Sequence, residues 1–150
     1  MNKRQIAAGI SVGGQPTSTE IASLHDRGYR TVVNLRTPTE DGSLAEEERL
    51  VEDTGLNYAE IPISPQLMDD IALQRFAQAL EVADAKPVYV HCGSGGRAAM
   101  MVLMHLAIEH GWSLQRTLEE GAKLNAAPSE TSPYRAFFEE YIKRHSAGER

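Results

Sequence analysis

The sequence predicts an α/β domain: a mostly parallel central sheet of about four to five strands, flanked by helices on both faces. Two observations carry that prediction. Short β-branched runs alternate with stretches of helical period, an order that builds parallel sheets covered on both sides. The stretch Ala98 to His110 is strongly apolar, nearly all round to Ile108, which marks a helix at the buried centre.

The elements follow in order. Residues 5 to 12 read as a short strand, and Gly13-Gly14-Gln15-Pro16 as a turn. Thr17 and Glu20 have capping-box spacing and open a helix through about Asp26, with Ile21 and Leu24 inward and Gly28 as its stop. Thr31 to Leu35, TVVNL, is a buried strand bounded by turn residues. Arg36 begins a polar loop, Thr37 to Gly42, before an acidic helix from about Leu44 to Asp53. Its run Glu46-Glu47-Glu48 reads as a solvated face. Leu56 to Ile63 is a third strand, with Pro62 placing its end at an edge or bulge.

After the loop Ser64-Pro65-Gln66-Leu67, a helix from about Asp69 to Asp84 keeps a stripe of Ile71, Phe76, Ala79, Leu80 and Val82. Val88-Tyr89-Val90-His91 is the fourth strand. The apolar helix Ala98 to His110 ends at Gly111, and two amphipathic helices follow, Ser113 to about Leu124 and Pro133 to Arg144. Arg36, Ser64 and Cys92 all follow strands, so the carboxyl rim of the sheet is where a site is expected.

A length of 150 residues suits one domain with a real core, and no repeat or linker divides it. A net charge of −6 with no basic block argues against nucleic acid or an anionic membrane as partner. One cysteine excludes an internal disulfide and fits a reducing, cytoplasmic setting. The opening MNKRQIAAGISV has an apolar run too short for a signal peptide, and no stretch of about 18 apolar residues follows it.

The chemistry concentrates in KPVYVHCGSGGRAAMM, residues 86 to 101. A helix amino terminus leaves N–H groups unpaired and carries partial positive charge. Gly93, Gly95 and Gly96 let the backbone curl so that such groups converge, and Arg97 adds a planar fork of donors suited to an oxyanion. A thiol in such a ring is favoured as the thiolate, so Cys92 is the candidate nucleophile on the floor of an anion cradle. A nucleotide P-loop is disfavoured because its lysine and hydroxyl are missing. No metal is expected either: only His91 is close, and its neighbouring strand position turns it away from Cys92. His91 is expected to brace the loop, and Arg36 to add charge at the pocket rim.

His91-Cys92 followed by Arg97 resembles the cysteine-dependent (dual-specificity-like) protein tyrosine phosphatase superfamily. The layout is most similar to the bacterial phosphatase-like domain family named for beta-lactamase-hydrolase-like proteins. Gly14-Gln15-Pro16, Val33-Asn34-Leu35-Arg36 and the Cys-x-Ser-Gly-x-Arg loop carry that similarity, over about residues 10 to 145. The resemblance implies a protein-tyrosine-phosphatase-like fold and a hydrolase that needs no cofactor. Cys92 would attack phosphorus, with Gly93, Ser94, Gly95, Gly96 and Arg97 holding the phosphate oxygens.

Three departures bear on the chemistry. Four residues separate Cys92 from Arg97, where the superfamily has five, and six-residue loops of this kind resemble those of rhodanese-type sulfurtransferases. Ala98 stands where a hydroxyl residue usually assists release of the thiolate, leaving Ser94 for that work. The resemblance implies a general acid in the loop after the third strand, where Asp69 and Asp70 are the nearest carboxyls, with helix capping as their competing role. Asp41, with Glu40 behind it, is the second choice. Three functions stay open: a phosphatase, a sulfurtransferase working through a Cys92 persulfide, and a non-catalytic module binding phosphorylated or anionic ligands. The expected partner is a phosphorylated or sulfur-carrying small molecule or protein.

Overall fold

The computed structural model describes residues 1–146. Its strands are β1 (Arg4–Ala7), β2 (Ile10–Gly13), β3 (Thr31–Asn34), β4 (Asn57–Glu60) and β5 (Val88–His91). Its helices are α1 (Ser18–Asp26), α2 (Glu47–Asp53), α3 (Asp70–Glu81), α4 (Gly96–His110), α5 (Leu114–Leu124) and α6 (Arg135–His145). The sheet order is β1-β2-β5-β3-β4, antiparallel only between β1 and β2. The α/β class and the mostly parallel five-stranded sheet are as the sequence predicts.

Alternation along the strands separates two layers. Val12, Val33, Val88 and Val90 face the larger one, which includes Phe76, Leu103, Phe138 and Ile142. Val32 and Tyr89 face the smaller one with Ile21, Leu24, Val51 and Leu56. Helix α4 lies within the larger layer against α3, α5 and α6, and Ala98 through Met104 are all buried. Its all-round apolarity is therefore used.

Helix α5 approaches α4 at Gly121, where a Cβ would stand 2.7 Å from Leu103 Cδ2 and 2.9 Å from the Ala127 Cβ. Leu103 is fully buried and the Ala127 methyl is fixed to backbone, so neither yields easily. Gly121→Ala is expected to destabilise by about 1–3 kcal/mol through overpacking, read as a lower urea midpoint at unchanged slope. A midpoint equal to that of the unsubstituted protein would contradict the close approach.

Three elements differ from the sequence reading, each for a local reason. The predicted strand over residues 5 to 12 is a hairpin, because the chain reverses at Gly9, whose φ is +76°. Helix α2 begins at Glu47 rather than Leu44, since Glu46 adopts a left-handed conformation with φ 62°. In α3 the buried face is Ala72, Leu73, Phe76 and Leu80, while Ile71 is 63% exposed. Ile71 lies five positions from Phe76, far round the helix from it. Val82 caps the helix in an extended conformation, and it is exposed as well.

The register levels the strand ends that matter. Gly13 and Asn34 are both partnered by His91, so Gly14, Arg36 and Cys92 leave the sheet at one carboxyl rim. Among the described residues, no helix is long and apolar enough to cross a membrane.

Candidate active site

Strand β5 delivers Cys92 to the rim, 1% exposed, with its N–H donating to the Gly13 carbonyl at 3.2 Å. The chain then turns sharply. Gly95 has φ +106°, which a side chain would resist, and its N–H donates to Cys92 Sγ at 3.1 Å. Helix α4 starts at the next residue, so its positive end is directed at this corner. The Gly14 turn backs the loop so closely that a Cβ there would lie 2.9 Å from the Gly93 carbonyl oxygen. That contact leaves no room for a side chain at the Gly14 position of the Gly14-Gln15-Pro16 run.

Arg97 lies against the loop rather than out in solvent. Its Nη1 donates to the Ile63 carbonyl at 2.9 Å. The fork closes on one carboxylate, Nη1 to Glu40 Oε1 at 2.5 Å and Nη2 to Glu40 Oε2 at 2.9 Å. Arg36 reaches the same place. It is buried, donates to the Asp41 carbonyl, and sets Nε 3.4 Å from Glu40 Oε2. A Cβ on Gly93 would meet Arg97 Nη2 at 3.6 Å and Arg36 Nη1 at 3.8 Å, so both guanidiniums border the cysteine loop. The Arg97 fork, helped by the Thr37 N–H and by Arg36, holds the Glu40 carboxyl down to about 2. The same ion pair raises Arg97.

His91 faces the other way, as its strand position predicts. It is fully buried, and its Nε2 hydrogen-bonds Glu47 Oε2 at 2.6 Å. Gln15 Nε2 donates to the other Glu47 oxygen at 2.7 Å. Glu47 is thus 3% exposed, which corrects the reading of Glu46-Glu47-Glu48 as a wholly solvated face: a carboxylate is buried where two donors meet it. Tyr89 stacks on the His91 ring and donates its hydroxyl to the Gly14 carbonyl at 2.5 Å. His91→Ala leaves Glu47 buried with Gln15 alone. We expect a loss of about 3–5 kcal/mol of stability by denaturant unfolding. A loss under about 1 kcal/mol would show that the pair does not brace the loop.

The acids named from sequence are engaged elsewhere. Asp69 caps α3, accepting from the Ala72 N–H at 2.8 Å. Asp70 takes both Arg144 Nη1 and Nη2 at 2.8 Å, an ion pair that lowers its carboxyl. Asp41 offers Arg36 its backbone carbonyl, and the residue is exposed. The carboxylate at the site is Glu40, which the sequence ranked behind Asp41. Its i,i+4 spacing from Arg36 was the available signal. Ser94 is exposed and lines a cavity of about 290 Å³ with Arg4 and Asn125. Gly93 and Gly96 are exposed on the loop.

Nothing in the sequence pointed to Tyr134. Beside Arg97 opens a cavity of about 320 Å³ whose walls include Met100, Ala126, Pro128, Ser132 and Tyr134. Burial raises the Tyr134 phenol, opposed by the nearby Arg97 charge. The cavity gives the body of a bound molecule a half-apolar wall next to the guanidinium.

Known proteins are similar to this chain in sequence or in fold. A beta-lactamase hydrolase-like protein of Xylella fastidiosa (strain Temecula1 / ATCC 700964) is 31% identical over 104 residues, 67% of this chain and 24% of that protein. The chain therefore spans about a quarter of the length of the curated relatives it matches. Among solved structures, a DUF442 protein of Shewanella putrefaciens CN-32 superposes with TM-score 0.79 at 21% identity, over 96% of this chain and 93% of that one. PTPMT1, solved in complex with PI(5)P, gives 0.75 at 23%, over 97% of each. The family model described as DSP-PTPase phosphatase fused to NAD+ kinase matches residues 2–138. By that match the chain belongs to this phosphatase family, within the cysteine-dependent protein tyrosine phosphatase superfamily.

Proposed function

We propose that the chain is a cysteine-dependent phosphatase that cleaves a phosphate monoester through a thiophosphoryl intermediate on Cys92. One observation carries the reading: the Gly95 N–H aimed at Cys92 Sγ and the Arg97 fork gripping a two-oxygen anion meet at one rim. Donors fixed in this way stabilise charge on phosphoryl oxygens without reorganising as the reaction proceeds. Arg36 adds a second guanidinium, and the cavity lined by Tyr134 takes the rest of a phosphorylated small molecule or protein side chain.

Sulfur transfer through a Cys92 persulfide is the second reading. It is favoured by the loop of four rather than five intervening residues and by the engagement of Asp69 and Asp70 elsewhere, since it needs no general acid. One pair of assays separates the readings. The protein is given an aryl phosphate and, separately, thiosulfate with cyanide, each beside a Cys92→Ser control. Phosphate release lost in the control is expected. Thiocyanate production without phosphate release would replace the phosphatase by the sulfurtransferase, and neither product would leave an anion-binding module.

A further inference from the structure

Arg36 is buried yet only half engaged. Its Nη2 donates to the Asp41 carbonyl. Its Nε is buried with no hydrogen-bond acceptor, the Glu40 carboxylate standing 3.4 Å away. Among the described residues nothing accepts from its Nη1, the nitrogen that a Cβ on Gly93 would meet at 3.8 Å. A guanidinium taken out of water with open donors is costly until an acceptor reaches it, and an oxyanion on the cysteine loop would bring one.

The direction of Arg36 is set by the residue two before it. Leu35 is fully buried in the larger core layer, and its N–H donates to the His91 carbonyl at 2.9 Å. With Leu35 anchored, the peptide joining it to Arg36 is the part left to rotate. The Arg36 N–H on that peptide donates to Asn34 Oδ1 at 2.9 Å, the turn that asparagine makes with the backbone two residues on. The Asn34 amide is held from behind as well. Its Nδ2 donates to the Tyr58 hydroxyl at 3.0 Å, and that hydroxyl donates to Glu60 Oε1 at 3.2 Å. Burial raises the Tyr58 phenol, so it keeps the proton it gives.

We propose that Asn34 is a positioning residue: by closing the turn after β3 on the Arg36 N–H, it aims the open Nη1 of that guanidinium at an oxyanion held in the cysteine loop. Tyr58 and Glu60 fix the amide that does this. The consequence for turnover rests on the phosphatase reading; the consequence for anion binding does not. The effect is large because misplacing a charged group by about 1 Å costs on the order of 10²-fold in rate.

The test separates aim from stability. Sulfate affinity is measured by calorimetry on the Cys92→Ser form, under conditions where urea unfolding shows each variant to be folded. Asn34→Leu, similar in shape but without the polar atoms, should weaken sulfate about tenfold or more. Asn34→Ser, whose hydroxyl accepts from the N–H two residues on, should lose about threefold or less.

Arg36→Met supplies the deciding arm. It should itself weaken sulfate about tenfold or more, and Asn34→Leu added to it should cost nothing further. Equal losses from Asn34→Leu with and without Arg36 would overturn the positioning role, because a side chain that only stabilises the fold acts independently of Arg36. Unchanged affinity in Asn34→Leu, or in Arg36→Met, would overturn it too. Should Asn34→Leu fail to fold, Tyr58→Phe takes its place: it frees only the amide and should cost about threefold, again only where Arg36 is present. No loss there would overturn the proposal.

With Cys92 intact, Asn34→Leu should lower kcat/KM on an aryl phosphate by about the factor that Arg36→Met does. No turnover by the unsubstituted protein would overturn the phosphatase reading, while the sulfate cycle still decides what Asn34 does.

Discussion

Replacing Cys92 by serine is expected to lower phosphate release from an aryl phosphate by at least about 10⁴-fold while leaving sulfate binding in place. The two effects separate because the sulfur and the cradle are distinct pieces of structure. The Gly95 N–H, the start of α4 and the Arg97 fork belong to backbone and to another side chain, and all survive the substitution. Only the nucleophile changes. A serine hydroxyl stays protonated at neutral pH, and the imidazole next to it in the chain, His91, points to Glu47 and not to the loop. Phosphate release within about tenfold of the unsubstituted protein would mean that a group other than Cys92 attacks phosphorus.

Arg97→Lys is expected to cost about 10²–10³-fold in kcat/KM, although the charge is kept. The guanidinium makes three hydrogen bonds at once: Nη1 to the Ile63 carbonyl, and Nη1 and Nη2 one each to the two oxygens of an anion. A lysine ammonium is a point charge and cannot span two oxygens while anchored to a third. The loss should fall more on kcat than on KM if the fork grips the equatorial oxygens most tightly in the transition state. Steady-state kinetics on one aryl phosphate read both parameters. A variant that differs only in KM would show that Arg97 serves ground-state binding alone.

The fold was legible because its cues are local and redundant. Thr17 and Glu20 form the capping box that their spacing predicts. Val88-Tyr89-Val90-His91 and TVVNL are central strands, and their register places Cys92 and Arg36 together. The cysteine loop was legible too, as glycines, an arginine and an apolar helix in one short run.

What the sequence could not supply was pairing between distant polar groups. Glu47 looks no different from Glu46 or Glu48 in a row of acids, and it is buried by the positions of His91, forty-four residues away, and of Gln15. Glu40 and Asp41 are adjacent carboxylates on one loop, and the backbone turn at Thr37 decides which of them reaches Arg97. Asp69 and Asp70 were in the loop that the resemblance indicated, but the start of α3 and Arg144 occupy them. Tyr134 arrives from a segment with no chemical pattern of its own.

Identifying what Cys92 carries during turnover tests the account most directly. The protein is mixed with an aryl phosphate, quenched in acid within the first turnover, digested and read by mass spectrometry, with a parallel sample given thiosulfate. The account predicts the mass of one phosphoryl group on the Cys92 peptide, absent from the Cys92→Ser form. An unmodified peptide from the phosphate sample, together with one added sulfur atom from the thiosulfate sample, would contradict it.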